Sequence, residues 1–339
     1  VKGVFLADKT SPFFDTKTFY NIFSDYNMEV LSEIIDISPM IVDRNRLEEN
    51  ASLLCDADFI FSTWGLGFLS QQEILRYFPR LQAVFYAAGS VRHFVRPFFG
   101  CGIRIFSART AHAVPVAEYT LAQILLAGKG VQRLNALYKQ QGYEAAKAFA
   151  GKFDGNYYGR IGILGAGNVG TKLIELLKPF SMDILVYDPF LTPERAEELG
   201  VHKASLDILF STCNVITNHM ASNDRTRNSI HYDRLCQMQD YTTLINTAQG
   251  DQINMEDLIR FLSVNKTTTA ILDVTEPEPL SPGHPLLAMD NVVLTPRIAG
   301  SMGNELARMG EYMVRECKAY VHHEPLKYEI TEDMLDIIA

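Results

Sequence analysis

Cysteine is scarce and carries no pattern. The five, Cys55, Cys101, Cys213, Cys236 and Cys317, include no CxxC pair, and their odd number cannot pair completely. That argues against a disulfide scaffold and for a reducing, cytoplasmic compartment, with the thiols as small core residues. Metal-ligand spacings are missing as well: the eight histidines form no HxxxH or HExxH pair, so no metal site is expected. No stretch reaches the ~20 apolar residues of a membrane helix; the most apolar one, residues 114–127, is interrupted by Glu118 and Gln123. Residues 1–8 read as a short strand and lack the charged and apolar regions of a signal peptide. An excess of positive charge is also absent. Lys plus Arg number 31 against 40 Asp plus Glu, a formal charge of −9, which argues against nucleic acid as a partner. The nearest basic cluster, Arg92, His93 and Arg96, reads as a solvated loop.

What remains is a globular composition. The chain has 339 residues, 47% hydrophobic and 21% charged, enough for about two domains. Short apolar runs at residues 4–7, 59–62, 83–86 and 103–106 alternate with amphipathic stretches such as 46–54 and 71–78. A second series places strands at 161–164, 184–187, 214–218, 243–246, 270–273 and 292–294. This alternation predicts an α/β fold with parallel sheets covered on both faces. A long helix is expected to start at Pro115 and run to about Gln140, and a last one to span residues 304–321. The tail from Pro325 is acidic and ends in an apolar cluster, Met334, Leu335, Ile337 and Ile338, expected to dock as a short helix.

The strongest motif runs from Arg160 through Leu164-Gly165-Ala166-Gly167-Asn168-Val169-Gly170 into an apolar helical stretch ending at Leu177. Gly165 permits the tight turn, Gly167 leaves room for a pyrophosphate, and Gly170 lets the helix pack closely on the strand. Backbone N–H groups and the positive dipole end at 168–170 suit a diphosphate. Three spaced glycines alone are weak, but the context is right: a strand before, a helix after, and Asp188 ending the next strand, 18 residues beyond Gly170. A carboxylate there accepts from both ribose hydroxyls and repels a 2′-phosphate, so NAD is expected over NADP.

Further motifs stand in order along the chain. They are Ala88-Gly89-Ser90, Val116-Ala117-Glu118, Asn218-His219-Met220-Ala221, Thr226, Ile245-Asn246-Thr247-Ala248-Gln249-Gly250, Leu272-Asp273-Val274, Glu278-Pro279, and Leu294-Thr295-Pro296-Arg297-Ile298-Ala299-Gly300. In this combination the sequence resembles the D-isomer-specific 2-hydroxyacid dehydrogenases, over about residues 50 to 325. The resemblance implies two doubly wound parallel-sheet domains: a Rossmann NAD-binding domain, residues 111–301, inserted into a discontinuous flavodoxin-like substrate domain, residues 1–110 and 302–339. It implies hinges near 107–112 and 299–303, a cleft between the domains for nicotinamide and substrate, and a homodimer formed through the nucleotide domain. It implies that Ala88, Gly89 and Ser90 meet the substrate carboxylate through backbone N–H groups, that Asp273 holds the carboxamide, and that Thr226 contacts the diphosphate side. His219, Thr247, Ala248 and Gly300 line the cofactor site on the same reading, His219 as wall rather than proton carrier.

Reduction of a 2-keto acid by hydride needs a cation on the carboxylate and carbonyl, a general acid, and a carboxylate that orients the acid. The family supplies an Arg, a His and a Glu. Here Glu278 stands, but Gln249 occupies the Arg position and Arg297 the His position. A glutamine does not neutralise a carboxylate, and a guanidinium does not cycle as an acid. Glu278 and Arg297 are expected to form an ion pair, leaving Arg297 as the cation that binds the carboxylate or polarises the carbonyl. His112 is then the first candidate for the proton donor, His93 the second and a water on Glu278 the third. The reading is an NAD-dependent oxidoreductase acting on a small 2-hydroxy or 2-keto acid. The alternative is a catalytically degenerate NAD(H)-binding sensor.

Overall fold

The computed structural model describes residues 1–336. It divides into two compact units, one of Val1–His112 with the segment from Ser301 onward, the other Ala113–Gly300. Among the described residues, no helix is long and apolar enough to cross a membrane.

The first unit is built on strands β1 (Lys2–Ala7), β2 (Asp36–Asp43), β3 (Phe59–Ser62), β4 (Ala83–Tyr86) and β5 (Arg104–Ser107), in the parallel order β2-β1-β3-β4-β5. The two-residue strand Glu329–Ile330 adds to β5 antiparallel. This is the flavodoxin-like doubly wound order, with its switch point between β1 and β3. Strands β3 and β4 are buried on both faces, which is why they read as continuous apolar runs. Register places Phe61 beside Phe85 and Phe85 beside Phe106. The rings stack at 5.0 Å across three strands, each such pair stabilising by about 0.5–1.5 kcal/mol beyond its buried area.

The second unit carries β6 (Arg160–Leu164), β7 (Asp183–Tyr187), β8 (His202–Lys203), β9 (Val215–Asn218), β10 (Thr243–Asn246), β11 (Thr269–Leu272) and β12 (Val292–Leu294). All are parallel, in the order β12-β11-β10-β9-β6-β7-β8. The chain therefore reverses direction between β6 and β9, the arrangement of a Rossmann sheet, and ligands bind at the carboxyl ends beside such a reversal.

The structure differs from the sequence reading at several points. The long helix begins at Arg109, not Pro115, and ends at Gly128; Pro115 lies inside it. A second helix, Val131–Gln141, follows after Gly130, which adopts the left-handed conformation at φ 63° and breaks the run. Helical periodicity alone does not register such a break. Strand β2 was not foreseen, because it is an edge strand with Pro39 and an exposed centre, and an edge tolerates what an inner strand does not. The final helix is Leu306–Val321, preceded by a single tight turn at Gly303–Glu305. In the tail, Leu335 is buried in the core of the first unit, within the short 3-10 helix Glu332–Asp336; Ile337 and Ile338 lie outside the described residues. Of the cluster read as solvated, His93 and Arg96 are exposed as expected, and only Arg92 is partly buried, against this tail. Arg92 Nε donates to the Leu335 carbonyl at 2.8 Å, and Arg96 lies 3.8 Å from Glu332.

Candidate functional site

The glycine turn after β6 is dictated by sterics. Gly165 has φ 93°, and a Cβ there would stand 2.8 Å from the His219 carbonyl oxygen, so no side chain fits. At Gly170 a Cβ would overlap the Gly165 carbonyl oxygen; the helix Asn168–Leu177 approaches the turn that closely. Gly167 is the opposite case: a Cβ would meet nothing within 4 Å. The open face lies at the helix N-terminus, where no side chain caps the first turn. These uncapped N–H groups over an open glycine fit a diphosphate.

Asp188 sits just past β7 and braces the same turn. One carboxylate oxygen accepts from Ala166 N–H at 2.7 Å, the other from Phe190 N–H at 2.8 Å. Each oxygen keeps a lone pair, so a ribose diol can be accepted without releasing the turn.

The loops after β9 and β10 are locked by buried amides. Asn218 donates to Asn246 Oδ1 at 3.1 Å and to Gln252 Oε1 at 2.7 Å; Asn246 donates to the Gln249 carbonyl at 2.9 Å and accepts from Ala248 N–H at 3.1 Å. Both Asn residues are fully buried. His219 lies between two threonine hydroxyls, Nε2 at 2.9 Å from Thr217 and Nδ1 at 3.3 Å from Thr247. Burial pushes its imidazole down to about 3, so it stays neutral at any working pH. Thr226 Oγ1 donates to the Ala221 carbonyl at 2.7 Å and shapes its own loop.

After β11, Asp273 ties down the segment that follows β12. Its Oδ1 accepts from Thr295 Oγ1 at 2.6 Å and Ile298 N–H at 2.9 Å, and its Oδ2 accepts from Ala299 N–H at 3.0 Å. Tyr119 Oη, 3.0 Å from Thr295 Oγ1, extends the chain. Sequence reasoning missed Tyr119 and Thr295; nothing local marks a partnership spanning 176 residues. Held on this segment, Arg297 adopts φ 53°, a conformation that costs a side-chain-bearing residue about 1–3 kcal/mol. Its Nε donates to Glu278 Oε1 at 2.5 Å, so the ion pair expected of these two residues is present. Gln249 is exposed, its N–H donating to Gln252 Oε1 at 3.3 Å.

In the first unit the loop after β4 is the notable feature. Ser107 Oγ lies 2.9 Å from the Ala88 carbonyl oxygen and 2.7 Å from that of Gly89. With those carbonyls turned toward Ser107, the N–H groups of Gly89 and Ser90 have no acceptor among the described residues. Ser107 was missed as well. A serine ending an apolar strand is a faint signal, and only the β4–β5 register shows what it holds.

Residues 121–299 match the model of the D-isomer specific 2-hydroxyacid dehydrogenase NAD binding domain. The chain belongs to this family. Its second unit is therefore an NAD-binding domain, and the cofactor is NAD. Similar proteins include a D-3-phosphoglycerate dehydrogenase of Archaeoglobus fulgidus, 33% identical over 200 residues, covering 59% of this chain and 37% of that protein. A hydroxypyruvate reductase of Thermotoga maritima is 32% identical over 218 residues, 63% of this chain and 69% of that one. Among solved structures, a phosphoglycerate oxidoreductase from Rhizobium etli superposes with a TM-score of 0.80 at 20% identity, over 98% of this chain and 99% of that chain. The match spans less than half the length of the phosphoglycerate dehydrogenases from Archaeoglobus, Synechocystis and Methanocaldococcus, at 37%, 35% and 44%.

Proposed function

We propose that this family member is an NAD-dependent oxidoreductase that interconverts a small 2-hydroxy acid and its 2-keto acid. The observation that carries the reading is the glycine turn: an open face at Gly167, uncapped N–H groups, and Asp188 braced one strand over. NAD, when bound, supplies the hydride acceptor. Gly165, Ala166, Gly167, Asn168, Val169 and Gly170 hold its diphosphate, and Asp188 its ribose. His219, Thr247, Ala248 and Gly300 serve as wall; Asp273 positions the 295–299 segment and keeps one lone pair of Oδ2 for a carboxamide. Thr226 keeps its loop in shape beside the diphosphate.

On the substrate side, the N–H groups of Gly89 and Ser90 take the carboxylate, with the Ala88 carbonyl turned away toward Ser107. Arg297, aimed by Glu278, supplies the positive charge that Gln249 does not, and Gln249 adds a neutral hydrogen bond. The names of the relatives, which include hydroxypyruvate and glyoxylate reductases, support a short substrate. We also infer a homodimer. Helices Val131–Gln141 and Tyr143–Ala150 line a groove with Val131, Leu134, Tyr138, Tyr143 and Ala146, and Tyr138 and Tyr143 are more than half exposed. A second copy covering that face would remove them from water. The free state of all five cysteines supports a reducing, cytoplasmic setting.

The test follows loss of NADH absorbance with purified protein and a panel of glyoxylate, hydroxypyruvate, pyruvate and sugar-derived 2-keto acids. Turnover of at least one is expected. Tight NADH binding with no turnover of any would overturn the reading in favour of a sensor. The double variant Gln249→Arg with Arg297→His is the companion. Lost activity would mark the present pair as functional, and activity gained from an inert parent would mark it as degenerate.

A further inference from the structure

Arg297 is committed to Glu278 and does not release a proton on demand, so the reaction proposed above lacks a proton carrier. Four other histidines are set apart by their surroundings. His219 is clamped between two threonines and held neutral. His202 points at Asp183 from an 80% exposed position. His284 caps its own turn, accepting from Leu286 N–H at 3.4 Å. His93 is an exposed ring packed on Phe94.

His112 is placed differently. It ends the first segment of its unit, in the first turn of the helix Arg109–Gly128, and Ser301 opens that unit's second segment. The two meet directly, Nδ1 to Ser301 Oγ at 3.2 Å. Trp64 packs edge-on against the ring, centroids 5.9 Å apart at 78°. The Gly89 loop lies alongside: a Cβ on Gly89 would stand 3.8 Å from His112 Cδ2. Nδ1 is thus fixed, the ring plane is set by tryptophan, and Nε2 has no partner among the described residues. The free nitrogen belongs to a ring packed beside the loop whose Gly89 and Ser90 N–H groups also lack acceptors.

We propose that His112, oriented by Ser301 and Trp64, is the residue that exchanges the substrate's hydroxyl proton through Nε2. This rests on the oxidoreductase reading above. In oxidation, the hydroxyl proton passes to Nε2 as the C2 hydrogen leaves with its electron pair as hydride to NAD; the C2–O bond becomes a carbonyl, and the imidazolium then releases its proton to water. Reduction runs the same transfers backwards. Burial holds the His112 imidazole below its ordinary range, and Glu305 opposes this weakly. Trp64, Gly89 and Ser301 bring no charge. The neutral ring is therefore ready as a base at neutral pH. Oxidation falls on the acid side as the ring protonates, and reduction falls as pH rises and the ring loses its proton.

Two measurements test this on the full chain. In His112→Gln, which can still bond Ser301, kcat is expected to fall roughly 100-fold with NADH affinity and substrate KM nearly unchanged, and the acid limb of the oxidation profile should vanish. A variant with kcat within about threefold of the parent, or with the acid limb intact, overturns the proposal. The second readout needs no turnover. Oxamate, a redox-inert 2-keto acid mimic, is added to NADH-loaded protein while histidine ring nitrogens are followed by NMR, the His112 signal assigned by its loss in His112→Gln. A shift of that signal supports the assignment. An unmoved His112 signal with oxamate bound elsewhere overturns it, even in a protein that turns over substrate. A parent inert toward the whole keto-acid panel, but with a responding His112, would instead sink the oxidoreductase reading and the proton transfer with it, leaving His112 a ligand contact only.

Discussion

The two ends of the chemistry in the NAD-binding domain have been treated differently. At the turn after β6 two of the three glycines are held by geometry: Gly170 has backbone where a Cβ would be, and Gly165 has the His219 carbonyl. At the loops after β10, β11 and β12 the backbone is held just as firmly, by Asn246 and Asp273, yet the side chains carried there, Gln249 and Arg297, stand exposed. Backbone that must approach a ligand admits no substitution, whereas a side chain on a rigid support is exchanged without disturbing the fold. That difference predicts unequal effects of mutation at the two ends.

The largest effect is expected at the turn. Gly170→Ala forces a methyl group into the Gly165 carbonyl, so helix and turn must separate. We expect loss of measurable NADH binding by calorimetry and destabilisation of about 3 kcal/mol. A stable Gly170→Ala protein that binds NADH normally would break the comparison at its stronger end. Asp188→Ala comes next. It removes the carboxylate that braces Ala166 N–H and would hold the ribose. A charge-assisted hydrogen bond is worth about 1.5–3 kcal/mol, so NADH affinity should drop roughly 10- to 100-fold in a fluorescence titration. An unchanged affinity would confine Asp188 to bracing.

His219 sharpens the comparison from inside the rigid part. Its imidazole is pushed by burial from the ordinary 6.5 to about 3, so the unfolded chain binds a proton in that interval and the folded chain does not. Stability from this group is complete above pH 6.5 and is lost as pH falls toward 3. Replacing it by Gln, which can still bond Thr217 and Thr247, should make the fall in Tm between pH 6.5 and about 4 shallower than in the parent. Parallel melting curves across that range would show that the ring protonates without penalty.

The parts legible in the sequence are those whose cause is local. Strand β3 reads as an apolar run because both faces are covered, and the glycine turn reads as a motif because its three constraints lie within six residues. The Glu278–Arg297 pair was legible once the motifs supplied a frame. What sequence could not show is contact made by topology. His112 meets Ser301 across 189 residues, and Arg92 meets Leu335 across 243. Strand β2 escaped because an edge does not require an unbroken apolar pattern. The helix from Arg109 was placed too late because Pro115 is an accepted first-turn residue, and here it sits buried in the helix instead.

The smallest effect on stability is expected at the exposed end. Arg297 is half exposed and its partner Glu278 about a third, and ion pairs in such surroundings contribute about 0–1 kcal/mol. Glu278→Gln should therefore leave the unfolding free energy within about 1 kcal/mol of the parent in a urea titration. It frees the guanidinium from its anchor while φ 53° at Arg297 is still imposed by the Asp273 bonds to Ile298 and Ala299. Turnover should suffer more than stability, through a raised KM for the keto acid as the cation loses its aim. A Glu278→Gln protein markedly less stable than its parent would show that the pair holds the fold, and that the two ends of the domain are rigid for the same reason. A variant with both stability and KM unchanged would remove Arg297 from the substrate altogether, leaving the positive charge at that position without a use.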